Sequence, residues 1–350
     1  SAPAPTAPAP KASSARWPEP SAYTRQLMAA LTELDPKNGP MTPEQIALWK
    51  QTMQTLLQQG AAAVPAIMEF LERNVDLDLK GLAGDQLGTS LRQTMFEALA
   101  QIGSDGFNGL ADVLQSTLDP REIASVAGLL EDRAPEQFRN AVVDAAREAL
   151  AHLAGKKIEG VDVAPLFELL QKFGGPDVVN DLTAAAKTWG YYAPLAIANL
   201  PPEFATPALV SLAEDRNFAA SGGGAMAMRL LAERAFTDPT AQEALLRLAE
   251  QGKIPASAYL GISQALAGHV AHYGSGLVPG AAPPPPTLGQ QHQRFHIASG
   301  NQQYESRYQP PPPEQVAQRL ELVDKLLKLQ QSPIAANALN NARRVLQPGP

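Results

Sequence analysis

Five times between residues 65 and 248 the sequence places apolar side chains three residues apart behind a small or helix-starting residue, and few folds accommodate such a chain. The segments are Pro65-Ala66-Ile67-Met68-Glu69-Phe70, Asn108-Gly109-Leu110-Ala111-Asp112-Val113, Pro165-Leu166-Phe167-Glu168-Leu169-Leu170, Pro207-Ala208-Leu209-Val210-Ser211-Leu212 and Glu243-Ala244-Leu245-Leu246-Arg247-Leu248. Their first residues are separated by 43, 57, 42 and 36 positions. Spacing of three to four residues is the period of a helix with one apolar face. A unit of about 40–47 residues holds one helix pair. The longest step leaves room for another helix, and Asp119-Pro120-Arg121-Glu122 followed by Ile123, Val126, Leu129 and Leu130 supplies its pattern.

Each first helix is followed by a second that is richer in alanine: Leu91 to Ile102, Phe138 to Leu153, Ala225 to Phe236 and Ala256 to Ala267. Alanine on an inner face lets helices approach closely, and Gly103, Gly155 and Gly268 stand where a left-handed C-cap is needed. Upstream, Leu27, Leu31 and Leu34 predict a helix that Asp35-Pro36-Lys37-Asn38-Gly39-Pro40 stops. Thr42, Pro43 and Gln45 then spell a capping box ahead of Ile46, Trp49, Met53, Leu56 and Leu57, with Gly60 closing the helix. A lone helix pair cannot bury its apolar face, so such pairs stack into one continuous core.

Proline-led first helices paired with alanine-rich second helices ending in glycine resemble HEAT-like repeat proteins, and the likeness runs through residues 21–274. It implies an all-α fold, a right-handed α-solenoid of HEAT/armadillo-like hairpins, with a protein partner bound along the curved concave surface. It carries no catalytic residues and no cofactor. The chain is also similar to exported bacterial proteins that join such a solenoid to an Ala/Pro-rich N-terminal spacer. Residues 1–20, opening Ser1-Ala2-Pro3-Ala4-Pro5, read as that disordered linker, because proline fixes φ and cannot donate a backbone hydrogen bond. The start at Ser1 fits either a processed N-terminus, with a membrane anchor upstream, or a fragment boundary. A periplasmic or extracellular location is expected, with the cytoplasm as the alternative.

Composition narrows the function classes. The palette is 45% hydrophobic and only 6% aromatic, which favours close-packed helices over sandwiches. A net charge of −7, with no run of Lys or Arg, argues against nucleic acid as a partner. Without cysteine there are no disulfides, thiolate metal sites or thiol nucleophiles. No apolar stretch approaches the roughly 20 residues of a membrane span, so no membrane insertion is expected.

After Gly274 the character changes. Residues 275–313 form a Pro-rich low-complexity segment with Pro283–Pro286 and Pro310–Pro313. Between the proline runs, Arg294 to Tyr304 suits a small hairpin turning at Ser299-Gly300-Asn301. Residues 314–350 carry amphipathic helices: Val316, Leu320, Val323 and Leu327 mark the first, and Ile334 to Leu346 the second. Their expected role is to cap an end or groove of the solenoid; partner docking or dimerisation is the alternative.

Candidate chemistry is sparse. His269 and His272, three apart near a helix end, with His292 and His296 beyond, are the nearest thing to a metal site, but nothing around them completes a tetrahedral set and no metal is expected. Trp189, Tyr191 and Tyr192 form the densest aromatic cluster, which would either pack a helical junction or offer a stacking surface to a glycan or peptide. Gly222-Gly223-Gly224 lacks the Lys and Ser/Thr of a phosphate loop and reads as a flexible connection. Glu69, Glu72, Asp76 and Asp78 read as a solvated face rather than a glycosidase pair. The expectation is a non-catalytic interaction scaffold, ahead of a glycan- or peptide-binding module and an enzyme on an α-superhelix.

Overall fold

The structure, a computed structural model, describes residues 17–33, 39–154, 160–219, 221–281, 292–297 and 302–347, with the side chains of 216 and 292–297 outside that description. The described chain is mostly helical, as the periodicity predicts. It divides into two compact units whose boundary, between Ala149 and Leu150, falls inside a helix. The change of character read at Gly274 does not coincide with it.

The first unit contains α1 (Ala22–Thr32), α2 (Pro43–Gln58), α3 (Val64–Glu72), α4 (Leu79–Ala83), α5 (Leu91–Ile102), α6 (Ser104–Ser116), α7 (Pro120–Arg133) and most of α8 (Arg139–Ala154). The helices start where polar caps stand. Ser21, Ser90 and Asp119 accept backbone N–H bonds, and Thr42 and Gln45 form the capping box that their spacing predicts. α5 spans the predicted residues and ends at Gly103, whose φ of 95° an L side chain would resist. α1 packs on α2 and α3, α3 on α5 and α6, and α5, α6 and α7 on one another. Leu31, Leu56, Ile67, Met95, Leu99 and Leu110 are wholly buried between them.

One ion pair lies within this packing. Arg92 of α5 donates to Glu122 of α7 at 2.5 and 3.0 Å, and to the Leu71 carbonyl of α3 at 2.8 Å. Glu122 also accepts from Thr117, and Asp76 accepts the Arg92 backbone N–H. Removing one member of a buried pair strands the other charge, which costs about 3–5 kcal/mol. Glu122→Ala should therefore lower the stability of the first unit by about that much, measured as the urea midpoint; a loss below about 1 kcal/mol, the range of exposed pairs, would show the pair to be solvated.

The second unit holds α9 (Ala164–Phe173), α10 (Val179–Ala185), α11 (Tyr192–Ala198), α12 (Pro202–Glu214), α13 (Arg216–Ala219), α14 (Gly222–Arg234), α15 (Pro239–Glu250), α16 (Ala258–Leu266), α17 (Pro313–Lys328) and α18 (Pro333–Leu346). Neighbours follow a regular order: α9, α11, α14, α16 and α18 adjoin in sequence, and so do α10, α12, α15 and α17. Strands β1 (His269–His272), β2 (His292–Ile297) and β3 (Gln302–Tyr308) form an antiparallel sheet in the order β1-β3-β2. The turn expected at Ser299-Gly300-Asn301 lies outside the described residues.

Two local readings change. Pro207 does not open a helix but sits inside α12, which begins at Pro202, and α15 likewise begins at Pro239 behind the Asp238 cap rather than at Glu243. The first turn of a helix tolerates polar and proline residues because its N–H groups have no intrahelical partner, so helices begin a turn ahead of their apolar stripe. After α16 the chain leaves the helix at Gly268, where the sequence places its end. Gly268, at φ 103°, turns it into β1, and the Gly268 carbonyl accepts the Gln309 N–H at 2.8 Å. A Cβ there would lie 2.6 Å from the Gln309 carbonyl oxygen, so the approach of the chain after β3 requires glycine.

Arg319 fastens α17 to this assembly. Its buried guanidinium donates to the Ala265 and Leu266 carbonyls, both at 3.0 Å, and lies 4.3 Å from the Phe236 ring. It thus satisfies last-turn carbonyls of α16 with a positive charge, where the helix end favours one.

Candidate functional site

The aromatic cluster stands at the start of α11. Trp189 is buried edge-on to Phe167, with ring centres 5.9 Å apart. Tyr192 is buried too, its ring 5.4 Å from Tyr273 and 5.9 Å from Phe167. Its hydroxyl donates to Asp162 at 3.3 Å and accepts the Gln303 N–H at 3.1 Å. Burial, and then the charge of Asp162, holds that phenol well above its ordinary pKa. Neither ring is free to stack on a ligand. The structure places both in the junction between α9, α11 and the sheet-bearing segment.

Tyr191 differs. It is half-buried and stacks nearly parallel on Tyr304 of β3, with centres 5.7 Å apart, and the Arg229 guanidinium lies 5.8 Å from the Tyr304 ring. The backbone N–H groups of Tyr191 and Tyr192 both donate to the buried Gln302 side chain, at 3.0 and 3.1 Å. The three aromatics therefore form a joint: two hold it from inside and one meets the sheet.

The triple glycine is part of the same joint. Gly222-Gly223-Gly224 is the first turn of α14, capped by Ser221, rather than a flexible connection. A Cβ on Gly222 would lie 2.0 Å from the Tyr191 hydroxyl, and one on Gly223 2.7 Å from the Gly190 carbonyl oxygen. The absence of side chains lets α14 reach the Trp189–Tyr192 turn.

Sequence reasoning missed Glu168. It lies within Ala164–Leu170, an entirely buried run of α9, and is itself wholly buried. Its carboxyl accepts the Ser275 N–H at 2.7 Å and the Ser275 hydroxyl. Burial raises its pKa against those two bonds. Close by, Tyr273 donates to Gln171 at 2.7 Å, Gln171 to the Ala281 carbonyl at 2.9 Å, and Lys172 to the Pro279 carbonyl at 2.6 Å. Residues 273–281 are thereby strapped along α9. The available signal was one carboxylate among apolar neighbours in Leu166-Phe167-Glu168-Leu169-Leu170.

His269 and His272 are brought to β1, not to a helix. Three residues apart, they would share a helical face, whereas a strand turns alternate side chains to opposite faces and so separates them. His269 pairs across the sheet with Tyr308, and His272 with Glu305. Among the described residues no group of three His, Asp or Glu is placed to hold a metal ion. The side chains of His292 and His296 lie outside the description.

The acidic cluster is spread over separate structural tasks. Glu69 pairs with Arg25 at 3.1 Å and Arg73 at 2.7 Å, Asp76 accepts the Leu77 and Arg92 N–H groups, and Asp78 caps α4. Elsewhere, a groove of about 390 Å³ opens between the start of α15 and α17, with Phe236 and Leu322 among its walls and the Glu321–Lys325 pair. Among the described residues no helix is long and apolar enough to cross a membrane. No family model, curated protein or solved structure matches the chain.

Gly223→Ala tests the joint, because helix propensity alone would favour the alanine by up to about 1 kcal/mol. Overpacking against Gly190 and Phe218 should instead destabilise the second unit by about 1–3 kcal/mol in urea titration. A more stable variant would refute the close approach. Trp189→Ala should cost about 3–5 kcal/mol, as expected for a large core aromatic, and a neutral result would return that ring to the surface.

Proposed function

We propose that the chain is a non-catalytic protein-interaction scaffold of the bacterial cell envelope, built as a right-handed HEAT-like solenoid that holds its partner on a concave face. The observation that supports this reading most is the neighbour order in the second unit, where, α13 aside, alternate members of the helix series adjoin as two rows. A series of hairpins laid side by side produces that order, and such stacking creates an extended curved surface. The Ala/Pro-rich composition at the opening of the sequence suits a spacer that holds the scaffold away from an attachment point. In this reading α17 and α18 cap the series: α18 covers α16, and α17 is anchored by Arg319.

The burial of Trp189 and Tyr192 leaves Tyr191, stacked on Tyr304, as the member of the aromatic cluster near a surface, which weighs against a glycan module built on that turn. Crosslinking the purified chain in envelope extract, followed by peptide mass spectrometry, should give one polypeptide whose crosslinks fall along a single helix row. Charge reversal at those positions should weaken its capture by tenfold or more, about 1.4 kcal/mol. Retention of a glycan from a panel, with no polypeptide captured, would overturn the proposal.

A further inference from the structure

The surroundings of β1 contain a feature that partner binding does not use. We propose that β1, which adjoins α14 and α16, is held by a proton-sensitive seam along both of its faces, in which neutral imidazoles at His269 and His272 keep the strand docked and their protonation releases it. Among the described residues, His269 Nδ1 and His272 Nε2 are both buried without a hydrogen-bond partner. A neutral imidazole can keep its proton on the other nitrogen, whereas an imidazolium carries N–H at both. Protonation therefore creates a buried donor with nothing to receive it at each site, the costly half of a broken hydrogen bond.

The cations around the strand act in the same direction, with Glu305 opposing them at His272. From α14 comes Arg229, 2% exposed, which donates to Glu233 at 2.9 Å, to Gln264 of α16 at 3.2 Å and to Ser306 of β3 at 2.8 Å. Glu233 also accepts the Ala271 N–H of β1 at 3.0 Å, so its charge is shared between the strand and Arg229. From β3 come Tyr308, 5.2 Å from the His269 ring, and the Glu305–Arg307 pair at 2.9 Å. The titratable residue of α16, Tyr259, is bonded to Gln330. A proton on His269 thus joins the Arg229 charge and one on His272 joins those of Arg307 and Arg229, while Glu233 and Glu305 are already paired with those cations. Burial and then Arg229 depress His269, and burial, Arg307 and Arg229 depress His272 to about 4 against the charge of Glu305.

The sign follows from linkage. A depressed imidazole contributes stability above its unfolded value near 6.5, and that contribution is lost as pH falls toward the folded value. With a folded value of about 4, His272 alone should favour the open seam about tenfold more at pH 5.5 than at pH 7.5.

Hydrogen exchange of the full chain at those two pH values, corrected for intrinsic exchange rates, reads the seam directly. Amides of β1 and β3 should lose about tenfold in protection while those of α14 hold, and His269→Gln/His272→Gln should abolish the difference. Equal loss in the double variant, simultaneous loss in α14, or no loss in the unaltered chain would each overturn the proposal. Should the double variant fail to fold, NMR titration of the imidazoles in the unaltered chain decides. Both midpoints below 6.5, with β1 amide signals shifting in step, would uphold the seam; either midpoint at or above 6.5 would end it.

Discussion

A helix that is buried all the way round cannot be served by one neighbour, and that constraint organises the second unit. Every residue of α9 from Ala164 to Leu170 and of α11 from Tyr192 to Ile197 is buried. An amphipathic stripe of roughly 100° suffices for a helix lying on the outside of a core. These runs leave no polar side, so each helix needs cover from several directions. Their row neighbours supply some, α12 lies against α11, and the strap of residues 273–281 supplies cover for α9. Remove that requirement and neither the alanine-rich contacts nor the non-helical insert has a reason to be where it is.

The few polar groups inside this packing share one function. Glu168 accepts from Ser275, Arg229 donates to Ser306, Gln302 accepts from the turn before α11, Arg319 donates to the end of α16, and Thr206 of α12 donates to the Asp238 cap of α15. In each case a buried side chain supplies bonds to a segment whose backbone or hydroxyl would otherwise be unsatisfied. Apolar contact alone is non-directional and would hold a strap or sheet without fixing its register. A buried polar bond tolerates little displacement, because a group that loses it also lacks water. The hydrophobic pattern thus sets which helices stack, and the polar exceptions set where the non-helical segments attach.

That division explains what the sequence discloses. Helix starts and stops are local events, so Thr42 with Gln45, Asp119 with Pro120, and Gly103 are legible, each depending on residues within one turn. Pro207 misleads because a helix tolerates polar residues and proline in the turn ahead of its stripe. Gly268 is legible as the helix stop ahead of the histidines, but the strand that follows is not, because the Gln309 that meets Gly268 lies 41 positions away. Glu168, Arg229 and the triple glycine were visible as anomalies, a charge or a gap in an apolar run. Their partners Ser275, Ser306 and Tyr191 are distant in the chain, so the anomaly could be seen but not its resolution. The aromatic cluster was legible, and the burial of Trp189 and Tyr192 selects the packed junction from its two readings.

The buried acids and buried imidazoles of the second unit also oppose one another in pH. Glu168 and Glu233 are raised by burial, so their protonated forms suit the folded state, and their contribution is full below about 4.5 and lost as pH rises through their folded values. His269 and His272 are depressed, so their contribution is full above about 6.5 and lost on the way down. Between those limits acidification strengthens one pair and weakens the other. Global unfolding sums the two and changes little where they cancel. The pairs are not in one place, however: Glu168 holds the strap on α9, while the imidazoles and Glu233 border β1. Cancellation in the total therefore coexists with a local imbalance, because at β1 two rings gain charge while a single carboxylate, already bound to Arg229, relaxes in compensation.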